Sequence, residues 1–129
     1  MPPPRPRILV ADDDAALCFL LQEFLEEEGY AVESVRTGPA ALTRLAAGDV
    51  DLALVDRRLP GLDGAEVCRR ARAAAPPGAR RVPIVVVSAL GERERAETLA
   101  AGADDYLSKP FELDDVLAIV ARHLPADVG

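Results

Sequence analysis

The sequence predicts an α/β domain, a doubly wound parallel sheet of five strands with five helices packed on its two faces. Three observations carry that prediction. Five short apolar runs alternate along the chain with five stretches of helical periodicity, and glycine or proline punctuates the boundaries between them. Strand–helix alternation of this kind implies parallel strands joined by right-handed crossovers, which places helices on both faces. The length, 129 residues, suits one domain and is enough to bury a core without disulfides or a structural metal.

The elements follow in order. Ile8-Leu9-Val10-Ala11 is an apolar run too short for a helix and reads as the first strand. Leu17, Leu20, Leu21 and Phe24 then recur at helical spacing until Gly29 stops them. Residues 31–35 read as a second strand, and Ala41, Leu42 and Leu45 as a second helix closed by Gly48. Leu52 to Val55 is the third strand. Asp63 with Glu66 three residues on has the form of a capping box, opening a helix that carries Val67, Cys68 and Ala71. A breaker-rich loop, Ala75-Pro76-Pro77-Gly78, precedes Val82 to Val87, the most β-branched run of the chain. Gly91 to Ala101 is weakly helical, with Ala96, Leu99 and Ala100 as its core-facing candidates, and Gly102 ends it. Residues 105–108 form a short fifth strand. Leu113, Val116, Leu117 and Val120 mark the last helix, acidic in its first turn and carrying Arg122 and His123 at its end, as the helix dipole favours.

Composition narrows the function classes. With 22 acidic and 15 basic side chains the formal charge is -7, which argues against direct nucleic-acid binding, since phosphate contacts need clustered positive charge. No apolar run approaches the ~20 residues needed to span a bilayer, and the start, Met1-Pro2-Pro3-Pro4-Arg5, lacks the apolar stretch of a signal peptide. Cys18 and Cys68 fall in helical segments and read as reduced thiols of a cytoplasmic protein. The basic side is lopsided: fourteen arginines and one lysine, Lys109.

In an open parallel α/β sheet, ligands sit outside the carboxyl ends of the strands. There the sequence places Asp12-Asp13-Asp14, Asp56, Ser88 and Ser108-Lys109-Pro110. Asp14 reads as a helix cap. Asp13 and Asp56 at ~5 Å would repel by about 3 kcal/mol at an effective dielectric near 20, which a fold tolerates if a proton or cation intervenes. Oxygen-only ligands, few in number, suit Mg²⁺ better than zinc or a full calcium cage. Where Arg fills every other basic position, a retained Lys points to a site that needs a compact point charge. Lys109-Pro110 fixes the chain where the strand ends, at a bond that can be cis. Blander readings stand beside these: Asp56 as a cap, Ser88 as the N-cap of the next helix, Tyr106 as packing, and His123 as a surface residue.

These residues together resemble a known family. Residues 8–14, 54–64, 83–89 and 102–111 (Ile8 to Asp14, Leu54 to Gly64, Pro83 to Ala89, Gly102 to Phe111) are similar to the four motif segments of the receiver domain of bacterial two-component response regulators. The resemblance covers roughly residues 6 to 124 and implies a receiver domain over 7–124, with a short N-terminal tail (1–6) and C-terminal tail (125–129). It implies a flavodoxin-like sheet of order 2-1-3-4-5. Asp56 would be the phosphoacceptor, taking a phosphoryl group from a sensor histidine kinase, a phosphotransfer protein or a small donor such as acetyl phosphate. Asp13, Asp56 and the backbone carbonyl of Arg58 would bind Mg²⁺ directly, with Asp12 acting through water. Lys109 and Ser88 would contact phosphoryl oxygens, Ala89 would leave them room, and Tyr106 would be the switch aromatic. The surface addressed to a downstream protein, or to an effector domain of a longer regulator, would be the fourth helix, fifth strand and last helix, with a phosphorylation-linked dimer as one outcome. Such a domain is a signalling switch rather than a turnover enzyme.

Some residues depart from the family pattern. Arg57 and Arg58 follow the phosphoacceptor and Leu90 lies two past Ser88; positions two past the Asp and two past the Ser/Thr influence phosphoryl lifetime, so the resemblance leaves that lifetime open. Ser88 replaces the commoner Thr. Two rival readings remain at this point. A haloacid-dehalogenase-type phosphatase would use Asp12-x-Asp14, Ser88 and Asp104-Asp105, although helical periodicity begins too soon after Asp14 for that family's flap and Asp56 would have no role. A phosphorylation-independent interaction module would use the same fold without Mg²⁺.

Overall fold

In the computed structural model, which describes residues 5–89 and 91–124, ten elements alternate without exception. They are β1 (Arg7–Ala11), α1 (Ala15–Glu27), β2 (Ala31–Val35), α2 (Gly38–Ala46), β3 (Leu52–Asp56), α3 (Gly64–Ala74), β4 (Ile84–Ser88), α4 (Glu92–Ala100), β5 (Asp105–Ser108) and α5 (Leu113–His123). All strand pairs are parallel and the sheet order is β2-β1-β3-β4-β5, the order the resemblance implied. Every residue of β3 and β4 is buried, as expected of central strands covered on both faces.

Strand alternation divides the core in two. Ile8, Val10, Leu52, Leu54, Val85 and Val87 face α1 and α5 on one side. Leu9, Ala11, Ala53, Val55, Ile84 and Val86 face α2 and α3 on the other. Cys18 belongs to the first layer and Cys68 to the second, so both are buried free thiols with the sheet between them. Burial pushes the Cys68 thiol up to about 11, which makes it an inert core residue.

Several helix faces differ from the periodicity reading. On α1 the buried stripe is Cys18, Leu21 and Leu25, while Leu20 is exposed beside Phe19. Residues 17–21 are all apolar, so the pattern defines a helix but not its rotation; packing against α5 and the sheet sets that. On α4, Ala96, Leu99 and Ala100 all face outward, and Thr98 is the residue that is fully buried. β4 begins at Ile84 rather than Val82, because Pro83 has no N–H to give the ladder and serves only through its carbonyl, which accepts from the Ala53 N–H. Half of the predicted capping box forms: the Asp63 carboxylate accepts from the Glu66 N–H at 2.9 Å, but the Glu66 carboxylate turns to Arg69 and Arg70. Asp14 caps α1 as expected, accepting from the N–H groups of Ala16 and Leu17.

The edge of the sheet opposite the strands' carboxyl ends is tied by Arg72 on α3. Its guanidinium donates to the carbonyls of Gly102 and Val82 and to the Asp104 carboxylate, which also accepts from the Ile84 N–H and from Arg81. Gly102 holds a φ of +118°, and a Cβ there would lie 2.8 Å from the Arg72 Cγ. Replacing Arg72 by Ala takes the side-chain donor from the Val82 carbonyl and leaves the Gly102 carbonyl and the Asp104 carboxylate to Arg81 alone among the guanidinium donors. The expected loss is about 2–3 kcal/mol of unfolding free energy, read from urea denaturation.

Candidate functional site

At the carboxyl end of β1 the chain turns through Asp12, Asp13 and Asp14 into α1. Asp12 is buried and its carboxylate accepts from the Asp14 N–H at 2.9 Å, which aims the side chain across the sheet rather than into solvent. Asp56 ends β3, buried between β1 and β4, and accepts from the Arg58 N–H at 3.2 Å. Asp13 is exposed at the rim. One carboxylate oxygen from each of Asp12, Asp13 and Asp56 lies within 4.8 Å of the others. Gly64 makes the close approach of α3 to this site possible, since a Cβ there would stand 2.6 Å from the Asp56 carbonyl oxygen.

Lys109 reaches in from the end of β5. Its ammonium lies 3.2 Å from Asp56 and 3.3 Å from Asp12, donating to both carboxylates. The Lys109 N–H donates to the Ser88 carbonyl at 2.8 Å, and the Lys109–Pro110 peptide bond is cis. Burial alone would lower the lysine pKa, but the two carboxylates more than offset it and hold it above its ordinary value. Asp12 is shifted upward, first by burial and then by the nearby Asp56 charge, against the opposing pull of the Asp14 N–H and Lys109. Composition had singled out Lys109; the fold brings it to the two buried acids.

Ser88 closes β4, opposite Ser108, and is buried, so it is not the cap of α4; that position is Gly91. The Tyr106 ring is buried on β5, its hydroxyl 3.4 Å from the Ser88 carbonyl oxygen, with the Arg95 guanidinium 6.0 Å from the ring centroid. Leu90 lies outside the described residues. His123 is not a free surface residue but packs 2.9 Å from the Asp105 carboxylate, which also takes Arg122. Asp105 pairs with Val85, two residues before Val87, the partner of Asp56, so Asp105 and Asp104 stand about 7 and about 10 Å along the sheet from the acidic cluster. The third motif of the phosphatase reading is thus at the wrong edge of the sheet.

The donor set fits a divalent cation. It is all oxygen, it carries more negative charge than one lysine balances, and Asp13 opens it to water, which suits an ion that keeps part of its hydration shell. Sequence reasoning marked Arg57 only as a departure from the family pattern and missed its contact: its guanidinium donates to the Thr98 hydroxyl at 3.0 Å. No motif marks that pairing, because it joins positions 41 residues apart.

The model of the response regulator receiver domain matches residues 8–121. The chain belongs to that family. Among curated relatives, the phosphate regulon transcriptional regulatory protein PhoB of Rhizobium meliloti is 43% identical over 120 residues, covering 92% of this chain and 52% of the relative. The response regulator MprA of Mycobacterium bovis is 43% identical over 128 residues, covering 95% and 54%. The chain therefore spans about half the length of the curated relatives it matches. Among solved structures, a two-component response regulator from Clostridium difficile superposes with a TM-score of 0.84 at 28% identity, covering 97% of this chain and all of that one. The receiver domain of the sensor histidine kinase PA1611 from Pseudomonas aeruginosa PAO1, solved with a magnesium ion coordinated in its active site cleft, gives 0.81 at 33% identity, covering 96% and 100%. Among the described residues of this receiver, no helix is long and apolar enough to cross a membrane.

Proposed function

We propose that this receiver is a phosphoacceptor switch in which Asp56 takes a phosphoryl group and thereby alters a protein-interaction surface. The observation that carries the reading is the convergence of Asp12, Asp13 and Asp56 within 4.8 Å, with the only lysine of the chain donating to the two buried members. The Asp56 carboxylate attacks phosphorus, the bond to the donor's nitrogen or oxygen breaks, and an acyl phosphate forms; water later cleaves it and resets the domain. Phosphoryl transfer asks mainly for positioning and for positive charge around the phosphoryl oxygens. Lys109 supplies one such charge and Ser88 a hydroxyl. Asp13, Asp56 and the Arg58 carbonyl would hold Mg²⁺, with Asp12 acting through water, as the magnesium-bearing neighbour encourages. When bound, the ion would shield the meeting of a carboxylate with an anionic donor.

The donor is a sensor histidine kinase or a phosphotransfer protein, and the setting is cytoplasmic. The output surface is α4, β5 and α5, presented to a downstream protein or to an effector domain of a longer regulator, or pairing as a phosphorylation-linked dimer; the receiver itself does not touch nucleic acid. The energy is adequate. Moving a state from 1% to 99% takes about 5.5 kcal/mol. Two charge-assisted hydrogen bonds, to Ser88 and Lys109, at about 1.5–3 kcal/mol each nearly supply it.

Intact mass after incubation with acetyl phosphate is the test. The expected result is a gain of one phosphoryl group with Mg²⁺ and none with chelator. No gain in either condition overturns the reading. A gain without Mg²⁺ overturns the metal assignment alone.

A further inference from the structure

α4 is an unusual helix for a packed domain. Its sequence, ERERAETLA, is strongly polar, its N-cap Gly91 offers no side chain to the first turn, and Leu99 faces solvent. Among its described side chains the one fully buried is a hydroxyl, Thr98. That hydroxyl donates to the Glu94 carbonyl within the helix and accepts from the Arg57 guanidinium at 3.0 Å. The inner face of α4 is therefore seated on a polar tie to the residue that follows Asp56, where most helices rest on apolar area.

The other end of that tie is rigid. The Arg57 N–H donates to the Val87 carbonyl at 2.8 Å, continuing the β3–β4 ladder by one step, and the Arg57 carbonyl accepts from the Gly64 N–H at 2.9 Å. A Cβ on Gly64 would sit 3.0 Å from the Arg57 Cα, so α3 leaves that backbone no slack. Chemistry at the Asp56 carboxylate that shifts the end of β3 must carry Arg57 with it. Through the guanidinium the shift reaches Thr98, the one buried side chain among those described in α4.

We propose that Arg57 is a positioning residue that couples Asp56 to α4 through its hydrogen bond to Thr98. This deepens the phosphoacceptor reading and rests on it. The route is separate from Ser88 and Tyr106: it runs from β3 straight to the helix without passing through β5. A hydrogen bond from a charged donor is among the stronger ones, and coupling energies between sites commonly correspond to about 5–150-fold in an equilibrium.

The experiment loads the full chain with beryllofluoride and Mg²⁺, a phosphoryl mimic whose binding is read by ¹⁹F NMR. Hydrogen exchange of the amides in 92–100 is followed in parallel. Four proteins are compared: wild type, Thr98→Val (the same shape without the acceptor), Arg57→Met and Thr98→Ser. The expected wild-type result is loading together with a change in α4 exchange of about tenfold. Thr98→Val and Arg57→Met should load as well, yet shift α4 by less than about twofold, and Thr98→Ser should restore the wild-type response. A full α4 response in loaded Thr98→Val and Arg57→Met overturns the coupling while leaving the phosphoacceptor reading intact. Failure of Thr98→Ser to restore the response also overturns it, since a role in packing alone does not follow the hydroxyl. No ¹⁹F signal from wild type overturns the phosphoacceptor reading and the coupling with it.

Discussion

The expected result for Asp56→Asn is loss of phosphoryl uptake from acetyl phosphate, with no mass gain at any Mg²⁺ concentration and a melting temperature close to that of the wild type. An amide oxygen is too poor a nucleophile to displace the donor, so the chemical loss is complete. Stability is spared because two effects oppose each other. Lys109 loses one partner at 3.2 Å, an attraction of about 5 kcal/mol at an effective dielectric near 20. The cluster also loses the repulsion of Asp56 with Asp12 and Asp13, whose oxygens approach within 4.8 Å, at least about 3 kcal/mol for each pair on the same scale. Desolvation trims all these terms, and the remainder is within about 1–2 kcal/mol of zero. A variant that still gains phosphate places the acceptor elsewhere. A variant that unfolds shows that the cluster depends on Asp56 for more than charge.

Lys109→Met is the second large effect, and here nothing cancels. The ammonium is withdrawn from both Asp12 and Asp56, and no repulsion is relieved in exchange. Two buried carboxylates and the exposed Asp13 then face one another with no cation between them. Removing one partner of a buried ion pair commonly costs about 3–5 kcal/mol; with a quarter of the lysine side chain open to solvent (28%), about 2–4 kcal/mol is expected. For a domain of this size that is a fall in melting temperature on the order of 10 °C. Mg²⁺ should restore more stability to this variant than it adds to wild type, because the ion no longer competes with the ammonium. At a hundred times its dissociation constant it would return about 2.7 kcal/mol. Equal melting temperatures for variant and wild type without metal, or a variant insensitive to Mg²⁺, would contradict this account of the charge balance.

Both predictions concern residues that were legible before any coordinates. Four of the five strands bury all or nearly all of a short apolar run, and a polar residue closes each where the pattern breaks; in a parallel sheet those closures share one edge. That geometry follows from connection rules alone, so Asp12, Asp13, Asp56, Ser88 and Lys109 could be assigned to one place from their positions in the chain. Lys109 had the further mark of being the single departure from arginine.

The tertiary structure decided the matters that depend on rotation and reach. Periodicity says that residues 15–27 form a helix; which of its many apolar side chains face the sheet depended on α5 and on the opposing strands, and the answer was Cys18, Leu21 and Leu25. For α4 the hydrophobic pattern pointed to Ala96, Leu99 and Ala100, but a short polar helix has little apolar area to orient it. The residue it turns inward is Thr98, whose hydroxyl meets a guanidinium from a distant strand end, with Arg95 against the Tyr106 ring. Local pattern determines which element forms, because backbone hydrogen bonds and side-chain spacing act within a few residues. It does not determine which side of that element meets which neighbour, because that choice is made by contacts between segments far apart in the chain. The alternation of strands and helices, the acids at the strand ends and the lone lysine were thus written in the sequence, while the strand order came only through the family resemblance; the seat of α4 on Arg57 belonged to the folded molecule.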